Sequence, residues 1–484
     1  MTHRTFSLVG NLTTTFAAVL LCLTAAASSS AQTFKVLGSA GSNEPLIQGV
    51  DGNLYEAVIG TVGPYGSGGS IAKVTPAGTL TTIYTFCSQP NCADGITPSG
   101  LVLGTDGNFY GTTIQGGSTT NVDCTTYVET CGTIFKLTPG GKLTTLYNFC
   151  SQPNCADGSL PYAGLVLGND GNFYGTTFYG GISSSCLNTY SPDPTGCGTI
   201  FKITPEGTLT TLYAFCTLTN CPDGANPGEP LVVGTNGSLY GTTDNGGAGG
   251  GRCLACGTAF SITSLDAYTT LHSFCTDSEC HDGYDPFAGL TLGIDGNFYG
   301  ANNMGGFNDY GTVYKMTPSG TVTTLYAFPP FDGNPYGTLV QATDGNLYGD
   351  AYDNATYFRT GLNGGLKTVY TLPYGSQGSV AGLIQHTNGS FYGTTPTLIF
   401  ELTTGLHPFV ETVPNAGNVG TKVRILGTKL SSTTGVSFNG TAASFHVVSN
   451  TEVTATVPAG SSTGRVTVTT GSGTFASNFS FQVE

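Results

Sequence analysis

Short runs of alternating apolar and polar residues, each closed by a turn signal, fill most of the chain. The fullest unit reads GLVLGTDGNFYGTTIQGG (100–117), a variable stretch, then GTIFKLTPGGKLTTLYNFC (132–150). Alternation of β-branched or aromatic residues with small polar ones is the period of a half-buried strand. GLVLGT and FYGTT flank an Asp-Gly-Asn turn, and GTIFKLT and KLTTLYNF flank TPGG. Asp-Gly and Asn-Gly supply the positive φ that tight hairpins need. Each unit therefore predicts four antiparallel strands.

The turn motif occurs seven times, at Asp51, Asp106, Asp170, Asn236, Asp295, Asp344 and Asn388, with spacings of 44 to 66 residues. Four strands per repeat of this length is a propeller blade. A β-solenoid is the rival, but its coils are shorter and need not close. Third-strand signals also occur seven times: IAKVTP, GTIFKLTP, GTIFKITP, GTAFSITS, GTVYKMTP, ATYFRTG and LIFELTT. Clear fourth strands occur six times, ending near Cys87, Cys150, Cys216, Cys275, Pro329 and Pro373. QTFKVLGS (Gln32 to Ser39) precedes the first unit as TTLYNFC precedes the third. The expected fold is an all-β, seven-bladed β-propeller over 32–406 in which Phe34–Leu37 pairs with Leu398–Leu402, leaving no open sheet edge. The alternative is that LHPFV (Leu406–Val410) serves as the seventh blade's own fourth strand. The Tyr and Gly of the FYG motif read as an inter-blade filler and a site of close backbone approach.

After about residue 407 the texture turns to Val, Thr and Ser. Six or seven short strands in 407–484 predict an immunoglobulin-like β-sandwich, without the Cys pair and Trp of antibody domains. Residues 1–31 read as a signal peptide: Arg4, an apolar run Phe16–Leu23 too short to span a bilayer, and Ser29-Ser30-Ala31 before the cut. Leu21 sits where a lipidation site at Cys22 would need a small residue.

Two resemblances rest on these residues. The unit GLVLGTDGNFYGTT…GTIFKLTPGGKLTTLYNFC resembles the GloVer-type (Gloeo/Verruco) tandem repeat of exported bacterial proteins. Units six and seven depart from it, with DNATYFRTG in the third-strand position and no cysteine. The tail resembles an IPT/TIG domain at Pro414, Gly417, Gly420-Thr421, Ile425, Gly427, VSFNG, Val457-Pro458 and GRVTV. The first implies a repeat architecture and no activity; the second implies a spacer or interaction module. The repeat family's usual anchored ending is not matched, since Glu484 follows no sorting motif or apolar helix.

Composition adds a compartment and removes some partners. Fourteen cysteines remain outside the leader, an even number that fits a disulfide framework and a location outside the cytoplasm: secreted, cell-surface or periplasmic. Four pairs are spaced alike after fourth strands: Cys87/Cys92, Cys150/Cys155, Cys216/Cys221 and Cys275/Cys280. Three more share the loop between second and third strands: Cys124/Cys131, Cys186/Cys197 and Cys253/Cys256. Seven local disulfides account for all fourteen, each worth roughly 2 kcal/mol on the chain-entropy model. Cys253-Leu-Ala-Cys256 alone also reads as a redox or zinc pair, and its shared loop position favours the disulfide. The net charge of −15 without basic clusters argues against nucleic acid and anionic lipid.

The two propeller faces differ. First-to-second and third-to-fourth connections are tight turns, whereas the other connections are long and hold every cysteine of the mature chain. A site belongs on that loop face. Asp94, Asp157, Asp223, Asp282 and Asp332 each open an Asp-Gly after a fourth strand, and would ring the channel mouth as weak candidates for a polyol or calcium. Their competing role is turn formation. No other cofactor or metal is expected. His272, His281, His386, His407 and His446 show no metal spacing, and there is no GxSxG elbow. The expected function is a non-enzymatic binding or scaffold protein for an extracellular glycan or protein. The alternative is a carbohydrate-active enzyme, which would bring two or three asymmetric acids with raised pKa to the channel mouth.

Overall fold

The alternating runs do form strands, and the turn residues do set their pairing. A computed structural model describes residues 32–38, 44–59, 68–118, 131–182, 196–248, 256–373 and 381–484. Among the described residues before 406 lie seven four-stranded antiparallel sheets, each ordered by sequence except the last. In the second, Ile96–Leu103, Phe109–Gln115, Thr133–Leu137 and Leu143–Asn148 pair in succession. The seventh is Thr33–Gly38 beside Ile399–Thr403, Phe391–Thr394 and Leu383–Gln385. These sheets are the blades of a β-propeller, numbered here 1 to 7.

The N-terminal strand closes the ring as expected, with Phe34 opposite Leu402 and Val36 opposite Phe400. It copies a fourth strand in detail. Blades 1 to 6 each carry a register shift between their third and fourth strands, as at Ile134/Phe135. The residue left over in blade 1 is Ile83, whose carbonyl presses on Gly141 of the next blade's TPGG turn. Thr33–Gly38 shifts at Val36/Gly38, and the carbonyl of Leu37 meets Gly78 in the same way. A side chain at either glycine would collide with that carbonyl, and both sit at positive φ. Residues 406–410 do not join blade 7. Phe409 donates to the Thr387 carbonyl and Val410 bridges to Ser477 of the C-terminal domain.

Buried apolar residues gather between blades. Seven clusters occupy the seven junctions, the last joining Leu37, Tyr392 and Ile399 to Leu46, Leu54 and Val74. Two aromatic contacts recur there. The motif tyrosine meets the next blade's motif aromatic, as in Tyr55–Phe109 (4.2 Å) and Tyr110–Phe173 (4.0 Å). The phenylalanine ending the fourth strand meets the next third strand edge-on, as in Phe86–Phe135 (5.1 Å) and Phe149–Phe201 (5.2 Å). The motif glycine clears space for that third-strand ring: a Cβ on Gly111 would lie 2.7 Å from Phe135 Cζ.

The Asp-Gly-Asn turn is a charged clasp. Asp106 accepts from the Asn108 backbone (3.1 Å) and amide (2.7 Å), from the Tyr110 hydroxyl (3.0 Å) and from Lys136 (2.7 Å). Lys136 stands opposite Tyr110 on the third strand. Where the turn is Asn-Gly-Ser, the acceptor is replaced by an amide that donates to tyrosine, from Asn236 to Tyr240 (3.1 Å) and from Asn388 to Tyr392 (2.9 Å). The opposing residue is then not a cation: Ser261 in blade 4 and Glu401 in blade 7. Charge and counter-charge are lost together.

The C-terminal domain packs two sheets, of four and five strands, over a core including Val423, Ile425, Phe438, Val466 and Phe481. It lies on the turn face of the propeller. Arg424 donates to the Thr105 carbonyl (2.7 Å) and pairs with Glu452. Thr451 donates to the Val50 carbonyl (2.8 Å), Asn478 to that of Gln341 (2.8 Å), and Asn169 to Glu484 (2.8 Å). With Phe409 on Thr387, these contacts span blades 6, 7, 1, 2 and 3. The C-terminal domain therefore covers the turn face at five of the seven blades.

If the closing strand carries stability, Phe34→Ala should cost about 2 kcal/mol, below the range for a fully buried ring. Phe34 stacks on Tyr370 (4.7 Å) and Phe400 (4.9 Å). Val36→Ala, at a position 51% exposed, should change little. Denaturant unfolding of both variants measures the contrast, and equal effects would contradict it.

Candidate functional site at the loop end of the channel

Asp94, Asp157, Asp223 and Asp282 each hold the loop that follows a fourth strand. Their carboxylates bind their own outermost strand and the loop that follows it. Asp94 accepts from the Tyr84 hydroxyl (2.7 Å), from Ser88 through backbone (3.0 Å) and hydroxyl (2.8 Å), and from the Gln89 backbone (3.2 Å). Asp157 repeats this set with Tyr147, Ser151 and Gln152. Asp223 accepts from Tyr213 and Thr217, while Asp282 takes His272 (2.7 Å) and the Cys275 backbone. Asp332 is exposed and binds the Asn354 amide (3.0 Å). The first three are buried, so their geometry is that of loop caps beneath the disulfide hairpins.

Those hairpins are observed. Cys87–Cys92, Cys150–Cys155, Cys216–Cys221 and Cys275–Cys280 are bonded. Cys131, Cys197 and Cys256 are each disulfide-bonded too, while Cys124, Cys186 and Cys253 lie outside the described residues. The sulfurs of Cys131, Cys150 and Cys155 lie within 4.8 Å of one another, as do those of Cys197, Cys216 and Cys221. Oxidised sulfur is no thiolate ligand, so these clusters are packed disulfides rather than metal sites. The Cys256 bond likewise removes the thiolate that a zinc reading of Cys253/Cys256 needs.

Aligning the seven blades by strand register shows where the repeat is broken, and most of the breaks along the inner strands are acidic. Two residues before the first-strand leucine stand Glu44, Ser99, Ala163, Glu229, Ala288, Gly337 and Ala381. At the motif glycine, blade 1 carries Glu56, fully buried. Opposite it the usual third-strand aromatic has shrunk to Ala72, which makes the room. Blade 6 carries Asp350 where blades 2, 3, 4 and 7 carry Thr112, Thr176, Thr242 and Thr394. Thr112 and Thr394 bond to the next blade's backbone, whereas both Asp350 oxygens are buried without a hydrogen-bond partner. Four residues after the motif tyrosine, blade 4 carries Asp244 beside Ile114, Phe178, Asn303 and Tyr352 of other blades.

Register places these acids on the inner strands, and Glu44, Glu229, Asp244 and Asp285 at their loop end. The four are half-buried and electrostatically linked. Glu44 accepts from the Gly100 backbone (2.9 Å) and the Ser99 hydroxyl (3.4 Å); burial and the charge of Glu56 still raise its pKa to about 7. Burial, then the charges of Asp244 and Glu44, push Glu229 well above the carboxylate range. Burial and Asp285 raise Asp244 to about 8, against a hydrogen bond from the Gly228 backbone. Burial raises Asp285, opposed by Asn303. Glu44 and Asp244 therefore hold protons near neutral pH, so they can donate as well as accept. Among the described residues no three carboxylate oxygens come within 4.8 Å of one another, so no calcium cage is preassembled. A separate depression of about 570 Å3 lies on the rim, lined by Tyr213, Leu218, Asp223 and Tyr268. Its two tyrosines stack on each other at 3.9 Å and offer no free sandwich to a ligand.

With the geometry in place, comparison with known proteins sets the family. The Gloeobacter/Verrucomicrobia repeat matches residues 19–217 and 183–398. The chain belongs to that repeat family. An IPT/TIG domain matches residues 408–483 of this repeat protein. No protein of curated function matches it by sequence. Among solved structures, an inactive virginiamycin B lyase from Staphylococcus aureus, with quinupristin, is 14% identical. That match covers 77% of this chain and 99% of the lyase at a TM-score of 0.50. The extracellular domain of a protein described as a hybrid two component system from B. thetaiotaomicron is 10% identical. It covers 94% of this chain and 59% of that one, also at 0.50. At these identities the likeness shows the propeller fold alone. Among the described residues no helix is long and apolar enough to cross a membrane.

Two populations of acid set opposite pH dependences. Burial raises Glu44, Asp244 and Asp350 to about 7, about 8 and about 7, so their contribution is complete below the unfolded pKa and fades as pH rises through those values. Burial also pushes on Asp106 and Asp295, but hydrogen bonds from lysine and asparagine bring them to about 2. Their contribution fades as pH falls from the unfolded pKa through 2. The melting temperature should peak between about pH 4 and 6 and fall by pH 8, less steeply in Asp350→Asn. A melting temperature still rising at pH 8 would contradict the assignment.

Proposed function

We propose that this protein is an exported binding propeller whose ligand, a glycan, enters the channel from the loop face. The observation that carries the reading is the placement of Glu44, Glu229, Asp244 and Asp285. They depart from what most blades carry, and a site for one ligand must be asymmetric within a symmetric scaffold. Half-exposed aromatic residues, Tyr162, Phe287 and Tyr336, surround them at matching register. Aromatic faces and carboxyl groups together suit the apolar faces and hydroxyls of sugars. The leader and the disulfides support export.

A hydrolytic role is favoured by one observation: Asp244, held to about 8, keeps a proton at neutral pH as a general acid would. A glycan array and a screen for released sugars, both on the mature full chain, separate the readings. Retention of a glycan without product, weakened about tenfold in Asp244→Asn, supports binding. Product release abolished in that variant would replace it with hydrolysis, and no retained glycan at all would refute both.

A further inference from the structure

The acids at the loop mouth share one blade interface with a set of acceptors that lacks a donor. Glu229 lies against Gly289 of blade 5, its Oε2 3.7 Å from where a Cβ there would sit. The Asp244 carboxyl lies against Gly228, 2.9 Å from the corresponding point, and its Oδ1 is buried without a hydrogen-bond partner. Asn303, 3% exposed, donates its amide to the Tyr336 hydroxyl (3.2 Å), and its Oδ1 has no partner. Among the described residues no lysine or arginine forms an ion pair with Glu229, Asp244 or Asp285. A buried acceptor without a donor is costly, and a ligand cation would supply the donor and let these carboxyls ionise.

Aromatic walls stand on both sides of this gap. Blade 3 offers Tyr162 and Phe178 (5.0 Å apart), and blades 5 and 6 offer Phe287, Tyr336 and Tyr352. Blade 4, at the same two positions, offers Gly228 and Asp244 instead of rings. A bare cation is a poor match, because the oxygens do not converge to coordination distance. An ammonium group is a good one: it brings several donors and a positive charge, and it interacts with aromatic faces.

We propose that the mouth selects glycans bearing free amino groups, with ammonium groups against the separate carboxyls of Glu229, Asp244 and Asp285 and the sugar rings against the flanking aromatics. This rests on the binding reading above and narrows its ligand.

The test is calorimetric titration of the mature full chain with a glucosamine tetramer and with its fully N-acetylated counterpart, at a pH where the amines are charged. The two share a backbone and differ in charge. The free-amine tetramer should bind at least about tenfold tighter. Glu229→Gln and Asp244→Asn should each remove about tenfold of that affinity and weaken the acetylated tetramer several-fold less, while Tyr336→Leu weakens both alike. Unchanged melting temperatures in the two acid variants exclude misfolding, and Glu229→Asp replaces Glu229→Gln if the latter does not fold. Equal affinity for the two tetramers would overturn the amine preference and leave the glycan reading standing. Binding of neither, or amine binding indifferent to both acid variants, would overturn the site itself.

Discussion

The pairing of Thr33–Gly38 with Ile399–Thr403 is the constraint on which the other features depend. A propeller blade buries its faces only against two neighbours, so an open array would expose one apolar face at each end as well as a strand edge. Closure through Thr33–Gly38 joins residues some 370 positions apart and creates the seventh junction, around Leu37, Leu46 and Tyr392. It also places Glu44, the residue before Pro45, within electrostatic reach of Glu229 in blade 4. Without the seal the acidic channel would not exist.

Within that ring, the residues that repeat and the acids that break the repeat differ in their electrostatics. The clasp of Asp106, Asn108, Tyr110 and Lys136 repeats because each member needs the others: removing the charge in blades 4 and 7 also removes the cation. These aspartates lie beside lysines, and those at 106, 170 and 295 have lowered pKa. The acids that break the repeat lie against backbone and other acids, and burial raises them. The same residue type thus does opposite electrostatic work at the two ends of a blade. Glu56 shows how tightly such breaks are built in, since it is matched by the shrinkage of its partner to Ala72.

Much of this was legible in the sequence for a physical reason. Strand period and turn chemistry are local, so the blades, their order and the missing fourth strand could be counted along the chain. The disulfides were local as well. What the Asp-Gly aspartates bind was not legible, because their partners lie on the preceding strand and loop: Tyr84 for Asp94 and Tyr147 for Asp157. The channel acids left a usable signal, DGNLYE where the other units read FYG or LYG, but Glu229 and Asp244 become neighbours only once register is known. Docking of the C-terminal domain left none: Arg424, Thr451 and Asn478 bind backbone carbonyls, which every sequence offers.

Hydrogen exchange across the closing pair tests the central claim most directly. In the intact mature chain, amides of 32–38 should exchange as slowly as those of 399–403, because both belong to one sheet and open together. Rapid exchange of 32–38 beside a protected 399–403 would show that the first strand does not seal the ring, and the channel described here would lose its basis.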